Sequence, residues 1–343
     1  MSEIKENPLK VVDVSTIDQT TADAILDGFA TQGFLFVDGH DFTQEEVDHF
    51  FDISKDYFTQ PHSEKIKYAI DVDDCGYTTY NQENLNHETQ IKGDPKEAFN
   101  FGKFNFLTGD CKKEMLPPVF APGTENYEFI KKMSLKLHAL GSRILNLLAL
   151  GLQIDEDQGG VNWFSDRHRA DAPSMTSMRM LHYPSASKLD AEQAIRAGAH
   201  TDYGSLTLLF QKKGEEGLEL YEPYREQWKT VPYIESTSSE YNKQGKAAPI
   251  VVNIADQLSF WTNQVLKSTL HRVVLPTDGD RYSIVFFFDA NDDTLLVPIP
   301  SKIVREAGEK GVGKGIGLNE DGSYINAKDY SLKRFKETYA TGH

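Results

Sequence analysis

Apolar and polar residues in the first half of the chain recur mainly with the period of an α-helix. Residues 21–31, 43–58 and 127–152 place apolar side chains three or four positions apart, which brings them onto one helical face. Thr43, followed three residues later by Glu46, predicts a capping box at the start of the second segment. The pattern therefore predicts a helical N-terminal region.

The second half changes to short β-type runs separated by turn-forming residues. The predicted strands cover residues 175–183, 205–211, 218–221, 250–254, 258–261, 271–275 and 281–288. Two more strands are predicted at residues 9–14 and 33–37. Residues 76–87 and the Gly-rich residues 306–321 predict loops within an otherwise structured chain that ends in a polar tail. Helices followed by regularly spaced strands predict an α+β fold built on a sandwich or jelly roll.

The charge and cysteine content exclude several classes of protein. The 343 residues include 36 Lys and Arg against 52 Asp and Glu, a net charge of −16 that repels phosphate groups. We therefore expect binding neither to nucleic acid nor to an anionic membrane. The two cysteines are too few for a disulfide framework, which favours a reducing, cytoplasmic location. The apolar residues 135–152 contain Lys136, His138 and Arg143, so they predict a buried helix rather than a membrane span.

Two distant segments of the second half carry side chains that can bind a metal ion. His200 and Asp202 are two positions apart in an extended segment, so their side chains point to the same side. His271 lies in a separate predicted strand and could complete a set of two histidines and one carboxylate. Such a set leaves three positions of an octahedral ion open, which suits non-haem Fe(II) and oxygen activation. Each residue alone has an ordinary structural explanation, and their joint occurrence on predicted strands favours the metal site.

A candidate anion clamp follows ten positions after His271. Arg281 and Ser283 share one face of a predicted strand, and a guanidinium fork with a hydroxyl can hold a carboxylate. A dicarboxylate could bind the clamp by one end and chelate the iron by the other. Alone, Arg281 is more often a surface ion-pair partner of little energetic weight.

Taken together, these motifs resemble those of the iron(II)- and 2-oxoglutarate-dependent dioxygenases of the isopenicillin N synthase-like family. The resemblance covers nearly the whole chain. The segments that carry it are residues 33–37 (GFLFV), 93–99 (GDPKEAF), 101–102 (FG), 178–184 (MRMLHYP), 200–202 (HTD), 252–256 (VNIAD), 261–263 (WTN), 268–273 (STLHRV) and 281–283 (RYS).

The resemblance implies a double-stranded β-helix, or jelly-roll, core with a helical N-terminal region. It implies three iron ligands, which are His200, Asp202 and His271. It further implies that Arg281 and Ser283 hold the distal carboxylate of 2-oxoglutarate and that Tyr183 lies near this cosubstrate. The plant enzymes often have Asn two positions before this tyrosine, where this chain has Leu181. The chain would then lack one hydrogen bond to the cosubstrate.

The implied reaction uses Fe(II), O2 and 2-oxoglutarate to hydroxylate or desaturate a small molecule, releasing succinate and CO2. It needs no protein general base, so we expect no catalytic residues beyond the metal ligands. The expected protein is a monomer whose partner is this small-molecule substrate. Arg179 could meet a substrate carboxylate, although a structural salt bridge is the favoured interpretation.

The chain is expected to divide into four regions. They are an N-terminal cover at residues 1–125, a long helix and connector at 126–172, the jelly-roll core at 173–295 and a C-terminal tail at 296–343. Two alternative functions remain open. One is an Fe(II) oxidase of the same fold that does not use 2-oxoglutarate, such as an oxidative cyclase or an ascorbate-dependent oxidase. The other is a non-enzymatic binding or sensor protein.

Overall fold

A computed structural model describes residues 7–85, 93–185, 195–222, 224–274, 279–310 and 322–339 of the chain. Its strands are β1 (Val11–Asp13), β2 (Phe34–Asp38), β3 (Gly76–Thr78), β4 (Glu97–Gly102), β5 (Ser177–Tyr183), β6 (Ile195–His200), β7 (Leu206–Phe210), β8 (Leu218–Glu222), β9 (Gln227–Thr230), β10 (Ile250–Ile254), β11 (His271–Val274) and β12 (Arg281–Phe288). Its α-helices are α1 (Gln19–Thr31), α2 (Gln44–Phe58), α3 (His62–Lys65), α4 (Glu125–Gly151), α5 (Ser239–Lys243), α6 (Asp256–Trp261), α7 (Lys302–Glu309) and α8 (Ala327–Tyr339).

Within the described residues, the strands form two sheets. The larger sheet has the order β1-β2-β10-β7-β12-β5-β4-β3, and the smaller has the order β6-β11-β8-β9. The four central strands of the larger sheet pair antiparallel, as do all four of the smaller one. The second half of the chain thus supplies two four-stranded antiparallel sheets, and the prediction of an α+β jelly roll is confirmed. The N-terminal region adds two strands at each end of the larger sheet.

Alternation along the strands separates the two faces of the larger sheet. On β12, Ile284, Phe286 and Phe288 belong to the main apolar cluster, which also contains the buried faces of α1, α2 and α4. Val285, on the opposite face, packs with Val273 of the smaller sheet in a second cluster. Successive strand residues point to opposite faces, so one side of the sheet meets the helices and the other encloses the space between the sheets.

The N-terminal helices begin where capping residues predict. Thr43 accepts a hydrogen bond from the backbone of Glu46, whose side chain accepts from the backbone of Thr43, so the predicted capping box is present. The predicted segment 127–152 corresponds to α4, the longest helix among the described residues. None of the helices in the described part of the chain combines the length and apolarity needed to cross a bilayer.

Three local predictions are wrong. Residues 258–261 lie in α6 rather than in a strand, because an apolar run of four residues is compatible with either structure. Residues 76–78 form edge strand β3 rather than a loop. The loop predicted at 306–321 is helical in its first residues, which belong to α7, and its remainder from residue 311 to 321 lies outside the described residues. The C-terminal region beyond residue 296 also contains α8.

Candidate active site

The histidines of the predicted metal site lie opposite each other in the smaller sheet. His200 ends β6, His271 begins β11, and the two residues are paired across these antiparallel strands. Asp202 follows two residues after His200, and its Oδ1 lies 3.6 Å from Nε2 of His200 and 3.5 Å from Nε2 of His271. One potential ligand atom from each of the three side chains lies within 4.8 Å of the other two. The structure therefore brings the three residues together.

Backbone hydrogen bonds orient both imidazoles. Nδ1 of His200 lies 2.7 Å from the carbonyl oxygen of Gly198, and Nδ1 of His271 lies 3.0 Å from that of Thr269. A carbonyl oxygen can only accept a hydrogen bond, so Nδ1 carries the proton in each ring. Nε2 of each histidine then keeps its lone pair and faces the shared space, as metal-ligating histidines do.

The carboxylate of Asp202 is held in the same way. Its Oδ2 accepts hydrogen bonds from Oγ1 of Thr207 at 2.7 Å and from Nδ2 of Asn253 at 2.8 Å. Oδ1 is left facing the two imidazoles. Thr207 and Asn253 lie opposite each other on β7 and β10, so the larger sheet positions the carboxylate that the smaller sheet's histidines approach.

The electrostatics of the three groups also suit a cation. Burial, assisted by the neighbouring His271, lowers the pKa of His200 to about 3 and keeps that ring neutral. Burial tends to raise the pKa of Asp202, but the two histidines outweigh it and hold the pKa well below its usual range. Burial likewise tends to lower the pKa of His271, but the carboxylate of Asp202 outweighs it and raises the pKa, so a metal ion has to displace any proton on Nε2 of this ring. One negative charge and two imidazole nitrogens converge, which is a donor set that fits Fe(II).

The candidate clamp lies at the start of β12. Arg281 is 2% exposed; its Nε donates to the carbonyl oxygen of Glu215 at 3.0 Å, and its Nη1 donates to Oγ of Ser283 at 3.3 Å. No Asp or Glu of the described residues lies within ion-pair distance of the guanidinium, whose pKa is lowered by burial. A buried guanidinium without an ion-pair partner among the described residues favours an anionic ligand, and a carboxylate matches its fork.

The remaining predicted residues lie on β5, which pairs with β12. Tyr183 is opposite Arg281, whose guanidinium carbon lies 4.9 Å from the centre of the tyrosine ring, and Leu181 is opposite Ser283. Arg179 lines the same cavity and forms an ion pair with buried Glu83. The salt-bridge interpretation of Arg179 therefore describes its contacts, and the residue also lines the cavity available to a ligand.

One cavity of about 180 Å³ contains all of these side chains. It is also lined by residues that the sequence analysis gave no role, among them Asp74, Lys96, Thr207, Asn253 and Asp289. Thr207 and Asn253 could have been found from their position on strands next to Asp202. Asp74 and Asp289 carried no comparable signal, because only the folded chain brings them to this cavity.

Comparisons with known proteins agree with this geometry. Residues 175–290 match the family model of the 2OG-Fe(II) oxygenase superfamily, and residues 9–122 match that of the non-haem dioxygenase in morphine synthesis N-terminal region. The chain is 31% identical over 308 residues to the UPF0676 protein C1494.01 of Schizosaccharomyces pombe, covering 89% of this chain and 86% of that protein. It is 28% identical over 267 residues to the 2-oxoglutarate-dependent dioxygenase caaD of Aspergillus niger, covering 75% and 74%.

A solved structure matches over almost the whole length. It is that of a full-length Neurospora crassa protein in complex with alpha-KG and thymine, which is 25% identical and has a TM-score of 0.73. The match covers 99% of this chain and 99% of that chain. Alpha-KG is 2-oxoglutarate, so the relative of known structure binds the cosubstrate that the motifs imply. The chain belongs to the 2OG-Fe(II) oxygenase superfamily and is an enzyme that uses Fe(II), O2 and 2-oxoglutarate.

Proposed function

We propose that His200, Asp202 and His271 bind the Fe(II) of this dioxygenase and that Arg281, Ser283 and Tyr183 hold 2-oxoglutarate. The observation that carries the proposal is the convergence of two Nε2 atoms and one carboxylate oxygen in a cavity that is also lined by Arg281, whose buried guanidinium has no ion-pair partner among the described residues. A dicarboxylate can satisfy both features at once. Its keto-acid end would chelate a metal held by His200, Asp202 and His271, and its other carboxylate would meet the buried charge of Arg281.

In this assignment the protein binds the metal and the cosubstrate, orients the side chains that hold them, and excludes water from the cavity. When bound, Fe(II) with O2 and 2-oxoglutarate supplies the oxidising chemistry, and succinate and CO2 are released. Gly198 and Thr269 fix the imidazole tautomers, while Thr207 and Asn253 fix the carboxylate. The apolar side chains between the sheets limit access of water, which strengthens the charged contacts of the cosubstrate. No side chain is assigned as a general base.

The outcome for the substrate is hydroxylation or desaturation of a small molecule. The size of the cavity supports a small-molecule substrate, since about 180 Å³ cannot admit a folded partner. The Neurospora crassa relative was crystallised with thymine, which is consistent with a small substrate. Arg179 borders the substrate side of the cavity and is proposed to contact the substrate while retaining Glu83. The two free, buried cysteines support the proposed cytoplasmic location, and a monomer is the proposed form.

Two variants separate the metal ligands from the cosubstrate clamp. Under anaerobic conditions, the wild-type enzyme is expected to bind Fe(II) and then develop the weak visible absorption band of the 2-oxoglutarate complex. His200→Ala should abolish Fe(II) binding. Arg281→Ala should keep Fe(II) binding but weaken 2-oxoglutarate binding about 100-fold, since a charged, buried partner is removed.

The same titration tests the alternatives. An oxidase that does not use 2-oxoglutarate would bind Fe(II) without forming the absorption band and would release no succinate. A non-enzymatic protein would lack succinate formation as well as Fe(II) binding. If Arg281→Ala bound 2-oxoglutarate as tightly as the wild type, the clamp assignment would be wrong.

A further inference from the structure

The inward-facing residues of β12 continue past the candidate metal position. Arg281, Ser283, Val285, Phe287 and Asp289 all line the cavity, as expected for every second residue of one strand and its extension. Arg281 is at one end of this series and Asp289 is at the other. The series therefore orders the cavity from the cosubstrate clamp to its far end.

The metal position lies near the fourth residue of this series. Oδ2 of Asp202 is bonded to Thr207, and Thr207 is paired with Phe287 in the larger sheet. Asp289 follows Phe287 by two residues, in the direction away from Arg281, which corresponds to about 7 Å along an extended chain. Because 2-oxoglutarate would occupy the space between Arg281 and the metal, Asp289 lies on the side that remains for the substrate.

The carboxyl group of Asp289 is buried against the turn that carries the metal ligands. The residue is 7% exposed, and a Cβ atom on Gly204 would lie 2.6 Å from Oδ1 and 2.8 Å from Oδ2. Among the described residues, its side chain receives one long hydrogen bond, from Oγ of Ser331 at 3.4 Å. A carboxylate can accept about four hydrogen bonds, so the described residues use only a small part of the capacity of this cavity-lining carboxyl group.

A second acid, Asp74, belongs to the lining of the same cavity. Asp74 lines the cavity, and its Oδ2 accepts a hydrogen bond from Nδ2 of Asn100 at 3.1 Å. Asn100 is opposite Arg179 in the pairing of β4 with β5, so Asp74 lies near Arg179, which also lines the cavity. Neither Asp74 nor Asp289 forms an ion pair with any described residue.

The other charges at the cavity balance one another. Lys96 forms ion pairs with Asp94 at 3.2 Å and with Glu83 at 3.3 Å, and Glu83 also pairs with Arg179. These two cations and two acids sum to zero.

The bound groups add no surplus positive charge. The two charges of Fe(II) are offset by Asp202 and one carboxylate of 2-oxoglutarate, and its other carboxylate offsets Arg281. Asp289 is left without a compensating charge, and Asp74 is attracted by Arg179 without forming an ion pair with it.

We propose that the substrate carries a basic nitrogen, as an amine, amidine or guanidine, which binds Asp289 with Asp74 as a second acidic contact. This inference rests on the proposed function, because it assumes that Fe(II) and 2-oxoglutarate occupy the other end of the cavity. Asp289 is thereby a specificity-determining residue that binds the substrate. Ser331 of α8, which also lines the cavity, donates a hydrogen bond to its carboxyl group.

The titration behaviour of both acids is consistent with this charge balance. Burial raises the pKa of Asp74 to about 6 and that of Asp289 to about 7, and the charge of Asp74 contributes to the latter. The net charge of −16 also favours the approach of a cation over that of an anion.

The test compares matched pairs of small molecules on the anaerobic enzyme loaded with Fe(II) and 2-oxoglutarate. The panel contains butylamine, putrescine, benzylamine, phenethylamine and agmatine, each with its N-acetyl derivative, and binding is measured by calorimetry. At least one amine is expected to bind about tenfold or more tightly than its N-acetyl derivative, because acetylation removes the charge that meets Asp289. Equal or tighter binding of the acetylated members, or binding of no amine at millimolar concentration, would overturn the proposal.

Variants then assign the preference to Asp289. Asp289→Asn should reduce the affinity for the preferred amine about tenfold and remove the preference over the acetylated form. Asp293→Asn, on an exposed neighbour, and Ser331→Ala, which removes the long hydrogen bond to Asp289 together with one from Gln257, should retain the preference. If Ser331→Ala lost it as Asp289→Asn does, Asp289 would have a structural role only. Failure of the enzyme to bind Fe(II) and 2-oxoglutarate would refute the proposed function instead, since that titration contains no amine.

Discussion

The hydrogen bonds to Asp202 show how residues outside the candidate ligand set orient its carboxylate. Nδ2 of Asn253 donates a hydrogen bond of 2.8 Å to Oδ2 of Asp202, and the residue is 3% exposed. Asn253→Ala leaves Oδ2 without this donor and frees the carboxylate to rotate. We expect the Fe(II) affinity to fall about 10- to 100-fold, as is usual when a group that orients a metal ligand is removed. Anaerobic Fe(II) titration measures this change.

Two further substitutions define the meaning of that result. Thr207→Val removes the other donor to Oδ2 while keeping the side-chain shape, and it should weaken Fe(II) binding by a similar factor. Asn162→Ala changes an exposed asparagine and should have no effect. Unchanged Fe(II) affinity in both Asn253→Ala and Thr207→Val would contradict the role of these residues in orienting Asp202.

At the residue scale, spacing made part of the site predictable. His200 and Asp202 are two positions apart on one extended segment, so their common direction follows from strand geometry. The approach of His271 depends on the pairing of β6 with β11, which spacing alone does not specify. The positions of Asp74 and Asp289 at one cavity depend on contacts between segments far apart in the chain. No local pattern encodes such contacts.

A buried ion pair links α3 to β4 at the element scale. Nζ of Lys65 donates to Oε2 of Glu97 at 2.6 Å and to the carbonyl oxygen of Phe58, and both charged side chains are at most 5% exposed. Glu97→Gln leaves the ammonium of Lys65 without a buried counter-charge. We expect the free energy of unfolding to fall by about 3–5 kcal/mol. Denaturant unfolding measures the change, and Glu64→Gln, in an exposed pair with Lys67, should change it by less than about 0.5 kcal/mol.

The same pair gives a pH dependence with a definite sign. Burial tends to raise the pKa of Glu97, but hydrogen bonds from His182 and Lys65 outweigh it and lower the pKa to about 2, from an ordinary value of 4.5. A lowered pKa contributes stability above the ordinary value, and this stability is lost as pH falls from 4.5 toward 2. Unfolding free energies measured over this range should fall less steeply for Glu97→Gln than for the wild type. An identical pH dependence of the unfolding free energy in the two proteins would contradict the contribution of the Glu97 carboxylate to stability.

A glycine in the middle of α4 marks the contact of this helix with the larger sheet. A Cβ atom on Gly141 would lie 2.6 Å from Cδ1 of Phe288 on the strand side of the interface. Gly141→Ala should therefore destabilise the protein by about 1–3 kcal/mol, although alanine favours a helix by about 1 kcal/mol. Thermal unfolding compares it with Gly28→Ala in α1, where the nearest atom is the flexible end of Leu35 at 3.1 Å. A stabilising Gly141→Ala would show that the helix can move away from the sheet.

Periodicity predicted the long elements better than the short ones. α2 and α4 carry several turns of apolar spacing and explicit capping residues, so their existence follows from local chemistry. The apolar run in α6 is too short to distinguish a helix from a strand, and edge strand β3 is defined by its pairing with β4. The sequence analysis predicted only a polar tail where α8 lies, and the contribution of Ser331 of this helix to the cavity is visible only in the folded chain.

At the scale of the whole molecule, the candidate site connects the two sheets. The histidines belong to the smaller sheet, whereas Asp202 is held by Thr207 and Asn253 of the larger one, and Arg281 also lies on the larger sheet. The class of architecture was predictable from the change of helical to β-type periodicity along the chain. The way in which the two sheets meet at the candidate site was not predictable, because it depends on long-range contacts between Asp202 and residues of both sheets.

A ligand that bridges both sheets must stabilise the folded chain against global unfolding. We expect Fe(II) and 2-oxoglutarate, each at about 100 times its dissociation constant, to raise the unfolding free energy by about 2.7 kcal/mol each under anaerobic conditions. The rise should be absent in His271→Ala, which removes the contact of β11 with the metal while Asp202 keeps its hydrogen bonds to the larger sheet. Arg281→Ala should keep the Fe(II) increment and lose most of the 2-oxoglutarate increment. Calorimetric unfolding of the four combinations of ligands distinguishes these cases, and an equal increment in His271→Ala would mean that the metal binds elsewhere.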